Sequence, residues 1–143
     1  MAQQNFANHA KFFPPFHFFV LPVLVVNLVS SIMHVIKHFS ADALIAALVA
    51  LALIVLAFSA RIFALKVQDR VIRLEMRLRM QQILPADLKP RIGEFTVGQL
   101  VALRFAGDAE LPQLARKTLD EKLTDRATIK KLVQNWQADE LRA

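Results

Sequence analysis

Among residues 1–60 the only charged side chains are Lys11, Lys37 and Asp42. All but two of the 18 Lys and Arg, and all but one of the 12 Asp and Glu, therefore fall in residues 61–143. A stretch so poor in charge does not make the surface of a small soluble domain, which needs charges of both signs spread among its apolar atoms. The chain divides by composition into a nearly uncharged first part and an ordinary charged second part, the pattern of a membrane anchor followed by a cytosolic region.

Two uncharged stretches are long enough to cross a bilayer. Residues 16–36 (FHFFVLPVLVVNLVSSIMHVI) make about 31 Å of helix, and residues 43–60 (ALIAALVALALIVLAFSA) about 27 Å, against a hydrocarbon core of roughly 30 Å. Pro14 and Pro15 give the first span a stiff entry, and Pro22 falls in its first two turns, where a missing N–H is tolerated. Phe12, Phe13, Phe16, Phe18 and Phe19 crowd that entrance in place of an aromatic belt. The link of residues 37–42 is short enough to force an antiparallel hairpin, and Ser40 or Asp42 can cap the second helix. Ala46, Ala50 and Ala57, or Ala47 with Ser59, give that helix small faces for close helix approach. The first span is too long for a signal-peptide core and ends in MHVIKHF, which is no cleavage site. Arg61, Lys66, Arg70, Arg73, Arg77 and Arg79 follow the second span, whereas the link holds only Lys37 opposed by Asp42. The Lys/Arg bias places both termini in the cytoplasm.

The helical pattern continues past Arg61, with no Pro or Gly before Pro85. In residues 61–84 Val67, Val71, Leu74 and Leu78 recur at steps of 4, 3 and 4, one helix stripe. Lys66, Arg70, Arg73 and Arg77 run one residue out of phase, a basic stripe beside the apolar one. Three arrangements satisfy the pattern: a helix lying on anionic lipid, a parallel coiled coil with the apolar stripe as its seam, or a helix packed on the C-terminal part with its charges solvated. Basic residues at a membrane boundary, without stacking aromatics, do not indicate nucleic acid.

Residues 85–143 read as a small helical tail domain. PADLKPRIGEF is a turn-rich joint. A helix over 96–106 opens with the capping-box pair Thr96 and Gln99 and closes at Gly107. A second, over 108–123, takes Asp108 as N-cap with Pro112 in its first turn. A third runs over 125–141, with Ile129, Leu132, Val133 and Trp136 on one inward face, Trp136 anchoring the small core.

No constellation of residues carries catalysis. Without Cys there is no disulfide, no Cys-ligated zinc, no iron–sulfur cluster and no thiol nucleophile. Phosphate-loop, HExxH and GxSxG patterns are missing as well. Asp120-Glu121 and Asp139-Glu140 are adjacent in sequence and do not converge. Asn27, Ser31 and His34 share nearly one face of the first span and are candidates for polar helix–helix contacts, Asn27 near mid-bilayer above all. His34 and His38, at i and i+4, allow a haem or metal pair, but haem takes ligands from two helices and the second span has no His.

QNFANHAKFFPPFHFFVLPV (residues 4–23), FALKVQDRVIRLEMRLR (63–79) and LVALRFAGDAELPQLARK (100–117) resemble a small, uncharacterised bacterial family of two-span membrane proteins, a domain of unknown function. The resemblance spans nearly the whole chain and implies a bacterial inner-membrane protein with a cytosolic helical tail. It brings no activity and no site residues. The expectation is an all-α chain: tail (1–15), transmembrane hairpin (16–60), basic helix extension (61–84) and helical tail domain (85–143). Its expected role is a non-enzymatic, membrane-anchored interaction or accessory protein without cofactor or metal. Expected partners are the bilayer, with anionic lipid at the cytoplasmic face, and a second copy or another membrane protein. A self-assembling, channel-like oligomer and a haem- or metal-binding subunit are the alternatives.

Overall fold

Prolines and one serine set the element boundaries of the first part. A computed structural model describes Phe6 and residues 13–139; Lys11, Phe12, Glu140 and Leu141 lie outside them. The described residues form two compact units, 13–65 and 66–139, with Phe6 belonging to the second. Both are helical, and the protein is all-α.

In the first unit a π-helical turn, Pro15–Val20, leads into α1, Leu21–Lys37. Pro22 has no N–H, and its ring crowds the carbonyl four residues back. The preceding turn widens accordingly, and the Leu21 N–H reaches back five residues to the Phe16 carbonyl. The helix thus starts at the prolines, slightly before the expected boundary. The link is also tighter than expected, His38–Phe39–Ser40, because α2 begins at Ala41. Ser40, not Asp42, supplies the cap: its Oγ accepts the Ala43 N–H at 3.1 Å.

α2 is unbroken from Ala41 to Ile83, 43 residues. Pro15–Lys37 and Ala41–Ile83 are both long and apolar enough to cross a membrane. Within the first unit Ala43 and Ala50 are buried and Ala47, Ile54 and Ala57 half-buried. They form the inner stripe of the hairpin, opposite Val20, Leu24, Leu28, Ser31 and Val35. Phe16 meets Phe58 edge-on at 6.1 Å, and the Arg61 guanidinium lies over the Phe16 ring at 5.8 Å, closing the end away from the turn.

In the second unit the end of α2 contributes Ile72, Met76, Met80 and Leu84 to a core completed by α3 (Val97–Leu103), α4 (Leu111–Asp120) and α5 (Arg126–Leu132). The joint after Pro85 does more than turn. Its 3-10 helix, Lys89–Glu94, buries Ile92 and is flanked by buried Leu88 and Phe95. The capping box at Thr96 and Gln99 forms as expected. Gln99 is buried and donates its amide to the Leu123 carbonyl at 2.8 Å, which ties α3 to the turn after α4.

Three boundaries differ from the expectation. Asp108 is not an N-cap; it pairs with Arg79 at 2.7 Å, and α4 starts at Leu111. Gly107 does not close α3 in the left-handed conformation, for none of the described glycines has positive φ. Asn135 instead approaches closely there, so that a β-carbon would crowd its amide and carbonyl. α5 stops at Leu132, and the chain then bends at Gln134 and Asn135 and makes an isolated antiparallel bridge between Trp136 and Ala106. Its bonds are Gly107 N–H to the Asn135 carbonyl (3.0 Å) and Gln137 N–H to the Phe105 carbonyl (2.7 Å). Trp136 thus reaches the core from the bridge and not from a helix. It stacks on Phe105 at 4.5 Å, and Phe105, fully buried, is the true centre of that corner.

Candidate functional site

The sequence singles out two sets of residues, one in each unit. On α1 Ser31 turns inward with the half-buried stripe, whereas Asn27 and His34 are exposed. Seven residues apart, these two lie in line on the outer face. Asn27 sits in a shallow groove with Pro22, Val23, Val26 and Ser30. Its amide has no hydrogen bond to any described residue. The His34 and His38 rings stand 5.6 Å apart, both exposed. Among the described residues no three His, Asp or Glu side chains are grouped to hold a metal ion.

On α2 Lys66, Arg70 and Arg73 are exposed and share a shallow groove with Asp69 and Val97. Arg77 is half-buried, and its Nε is buried without a hydrogen-bond partner. The neighbouring apolar stripe stays uncovered: Val67 is 61% exposed, Val71 48%, Leu74 61% and Leu78 57%. The helix does pack on the tail, but through Ile72, Met76 and Met80, on the other side of the helix. Two apolar stripes with nearly the same period share this segment, and only tertiary contacts choose between them.

The strongest polar anchors were not singled out by the sequence reading. Arg79, one of several arginines in a row, donates from Nη2 to the Ala106 carbonyl (2.6 Å), from Nη1 to the Arg104 carbonyl (3.3 Å) and from Nε to Asp108 (2.8 Å). It satisfies carbonyls that the end of α3 leaves without a helical partner. The Glu110 carboxylate accepts three backbone N–H groups, from Gly107, Gln134 and Asn135 at 3.0–3.2 Å. Those bonds to Gln134 and Asn135 hold the bend after α5 in place. Arg104 covers the face of Phe105 at 4.4 Å and pairs with Asp139 at 2.9 Å. Two exposed carboxylates are also shifted, one by an ion pair and one by an N-cap. The hydrogen bond from Arg116 (2.6 Å) holds Asp87 below its ordinary value. Hydrogen bonds from the Thr128 hydroxyl and backbone N–H do the same for Asp125 at the N-cap of α5. These groups fasten backbone segments together.

The fold and these sites define a class: an all-α chain with two long apolar helices, the second built into a small helical unit. A family of unknown function, DUF6526, matches residues 1–143, and the chain belongs to that family. Among curated proteins and among solved structures, none matches the chain.

Proposed function

We propose that this chain is a non-enzymatic, membrane-anchored interaction or accessory protein of the bacterial inner membrane. Both termini are cytoplasmic, and the helical unit of residues 66–139 is presented at the cytoplasmic face. One observation carries the reading. α2 runs without a break from an apolar segment with an exposed face into Ile72, Met76 and Met80, which are core residues of the tail. Only 11% of its most apolar window is buried, and none of the corresponding window of the first helix. A core helix of a soluble protein would be mostly covered, whereas bilayer lipid solvates such faces. Lys66, Arg70 and Arg73 follow the apolar segment, where anionic headgroups attract Lys and Arg by roughly 1 kcal/mol each.

The test is fractionation followed by purification from native membranes with neighbours attached. The chain is expected to resist alkaline and high-salt extraction and to bring down a defined protein partner or further copies of itself. Release into the soluble fraction overturns the anchor, and a Soret band or bound metal in the purified sample moves the assignment to the haem or metal alternative. A self-assembling protein is the second reading, favoured by the unpartnered, outward-facing amide of Asn27.

A further inference from the structure

We infer that the exposed stripe Val67, Val71, Leu74 and Leu78 is the seam of a parallel, in-register coiled coil with a second copy of this chain. The steps of 4, 3 and 4 are heptad steps, with Val67 and Leu74 at d and Val71 and Leu78 at a. All four side chains are about half exposed or more. The opposite side of the same helix, positions b, c and f, carries Ile72, Met80 and Met76, which the tail already buries. The tail thus occupies one side of α2 and leaves the seam free. The central pair, Val at a and Leu at d, is the combination that favours two strands.

Charge complementarity selects a second copy over other occupants. Flanking the seam on one side are Arg70 and Arg77 at g. On the other side are Glu75 and Gln82 at e, both exposed. In a parallel pair, g of one helix faces e of the following heptad on the other. That brings Arg70 against Glu75 and Arg77 against Gln82, twice each by symmetry. Arg70 and Glu75 have no ion pair with any described residue. An anionic lipid surface laid against this seam would attract Arg70 but repel Glu75. Lys66 and Arg73, at c, stay outside the contact.

Fewer than two heptads do not hold a coiled coil in dilute solution. This inference rests on the membrane reading at that point. Copies anchored in one bilayer with one orientation are already parallel and in register, and confinement raises their effective concentration.

The absence of native Cys makes the test clean. Single substitutions Val71→Cys, Leu74→Cys and Arg73→Cys are made in the full chain and oxidised in native membranes. Disulfide-linked dimer is expected from Val71→Cys and Leu74→Cys, several-fold above Arg73→Cys. Yields without heptad preference overturn the seam. In the Leu74→Cys background, Arg70→Glu is expected to lower the dimer yield, and adding Glu75→Arg to restore it. Failure of the double exchange to restore the yield overturns the pairing and points to lipid as the occupant. All these side chains are exposed, so helical content is expected to stay unchanged, which circular dichroism verifies. Fractionation of the same samples separates the two failures. A chain that stays in the membrane without a cross-linking pattern sinks this inference alone, whereas a chain found in the soluble fraction sinks the anchor.

Discussion

Arg79 donates from Nη2 to the Ala106 carbonyl at 2.6 Å and grips Asp108 with the same guanidinium. The two bonds differ in worth. The pair with Asp108 is open to water, the Asp side chain being 69% exposed, and such pairs contribute about 0–1 kcal/mol. The bonds to the carbonyls of Ala106 and Arg104 serve groups that no helical N–H reaches. Arg79→Met is expected to destabilise the tail by about 2 kcal/mol, and Asp108→Asn by well under 1 kcal/mol. Chemical denaturation followed by Trp136 fluorescence checks the ranking, and equal losses would refute it.

Gly107 lies where the chain after α5 meets the end of α3 at Asn135. A β-carbon there would stand 2.8 Å from Asn135 Nδ2 and 3.3 Å from the Asn135 carbonyl oxygen. The amide can swing away, but the carbonyl is held by its bond from the Gly107 N–H. Gly107→Ala is expected to cost about 1–3 kcal/mol. Asn135→Ala in the same chain should recover only the side-chain part of that cost, which a double-mutant cycle measures.

Lys122 adopts φ 50°, the left-handed conformation, just after α4. There its neighbour Leu123 donates back to the Thr118 carbonyl at 3.0 Å. A β-branched residue is badly strained in that region. Lys122→Val is expected to destabilise by about 1 kcal/mol or more, while Lys122→Gly is neutral or slightly stabilising. Equal stabilities for the two variants would show that the cap geometry does not matter.

Asp87 and Asp125 are both held below their ordinary value of 3.8, by Arg116 and by Thr128 respectively. The folded chain keeps these carboxylates charged to lower pH than the unfolded chain does. Their contribution is fully present above the unfolded value and is lost as pH falls through the folded values. Melting temperature is expected to drop as pH falls below the ordinary carboxylate value, and Arg116→Gln with Thr128→Val to flatten that drop. Both sites are exposed, so the effect is small, and an unchanged slope would remove them from the acid response.

Local signals were legible in the sequence, and long-range ones were not. The capping box at Thr96 and Gln99 forms as read, because its partners are three residues apart. The long uninterrupted α2 follows from the lack of Pro and Gly before Pro85. Ile129, Leu132, Val133 and Trp136 fit one helical face equally well, yet the helix stops at Leu132. The Glu110 carboxylate, 24 residues before Gln134, captures the next N–H groups and directs the chain to Ala106. Val67, Val71, Leu74 and Leu78 do form one exposed stripe, but Ile72, Met76 and Met80 repeat almost as well and are the ones covered. Periodicity identifies a face without naming what covers it, and the same holds for Asn27, whose place on α1 was clear while its outward direction was not.

Topology supplies the last expectation. Arg61 and Lys66 follow the second apolar segment, and Arg70, Arg73, Arg77 and Arg79 lie within 20 residues of its end. The turn His38–Phe39–Ser40 carries no Lys or Arg, and Lys37 alone lies beside it. Lys and Arg near a span are retained in the cytoplasm, while acidic residues count for little. A reporter fused after Phe39 is therefore expected on the periplasmic side and one fused at Ala143 in the cytoplasm. Exchanging Arg61, Lys66 and Arg70 for Gln while adding Lys residues beside Ser40 should push part of the population into the opposite orientation. Two reporters on the same side would mean that the second helix does not cross, and a periplasmic Ala143 would reverse the role given to the basic segment.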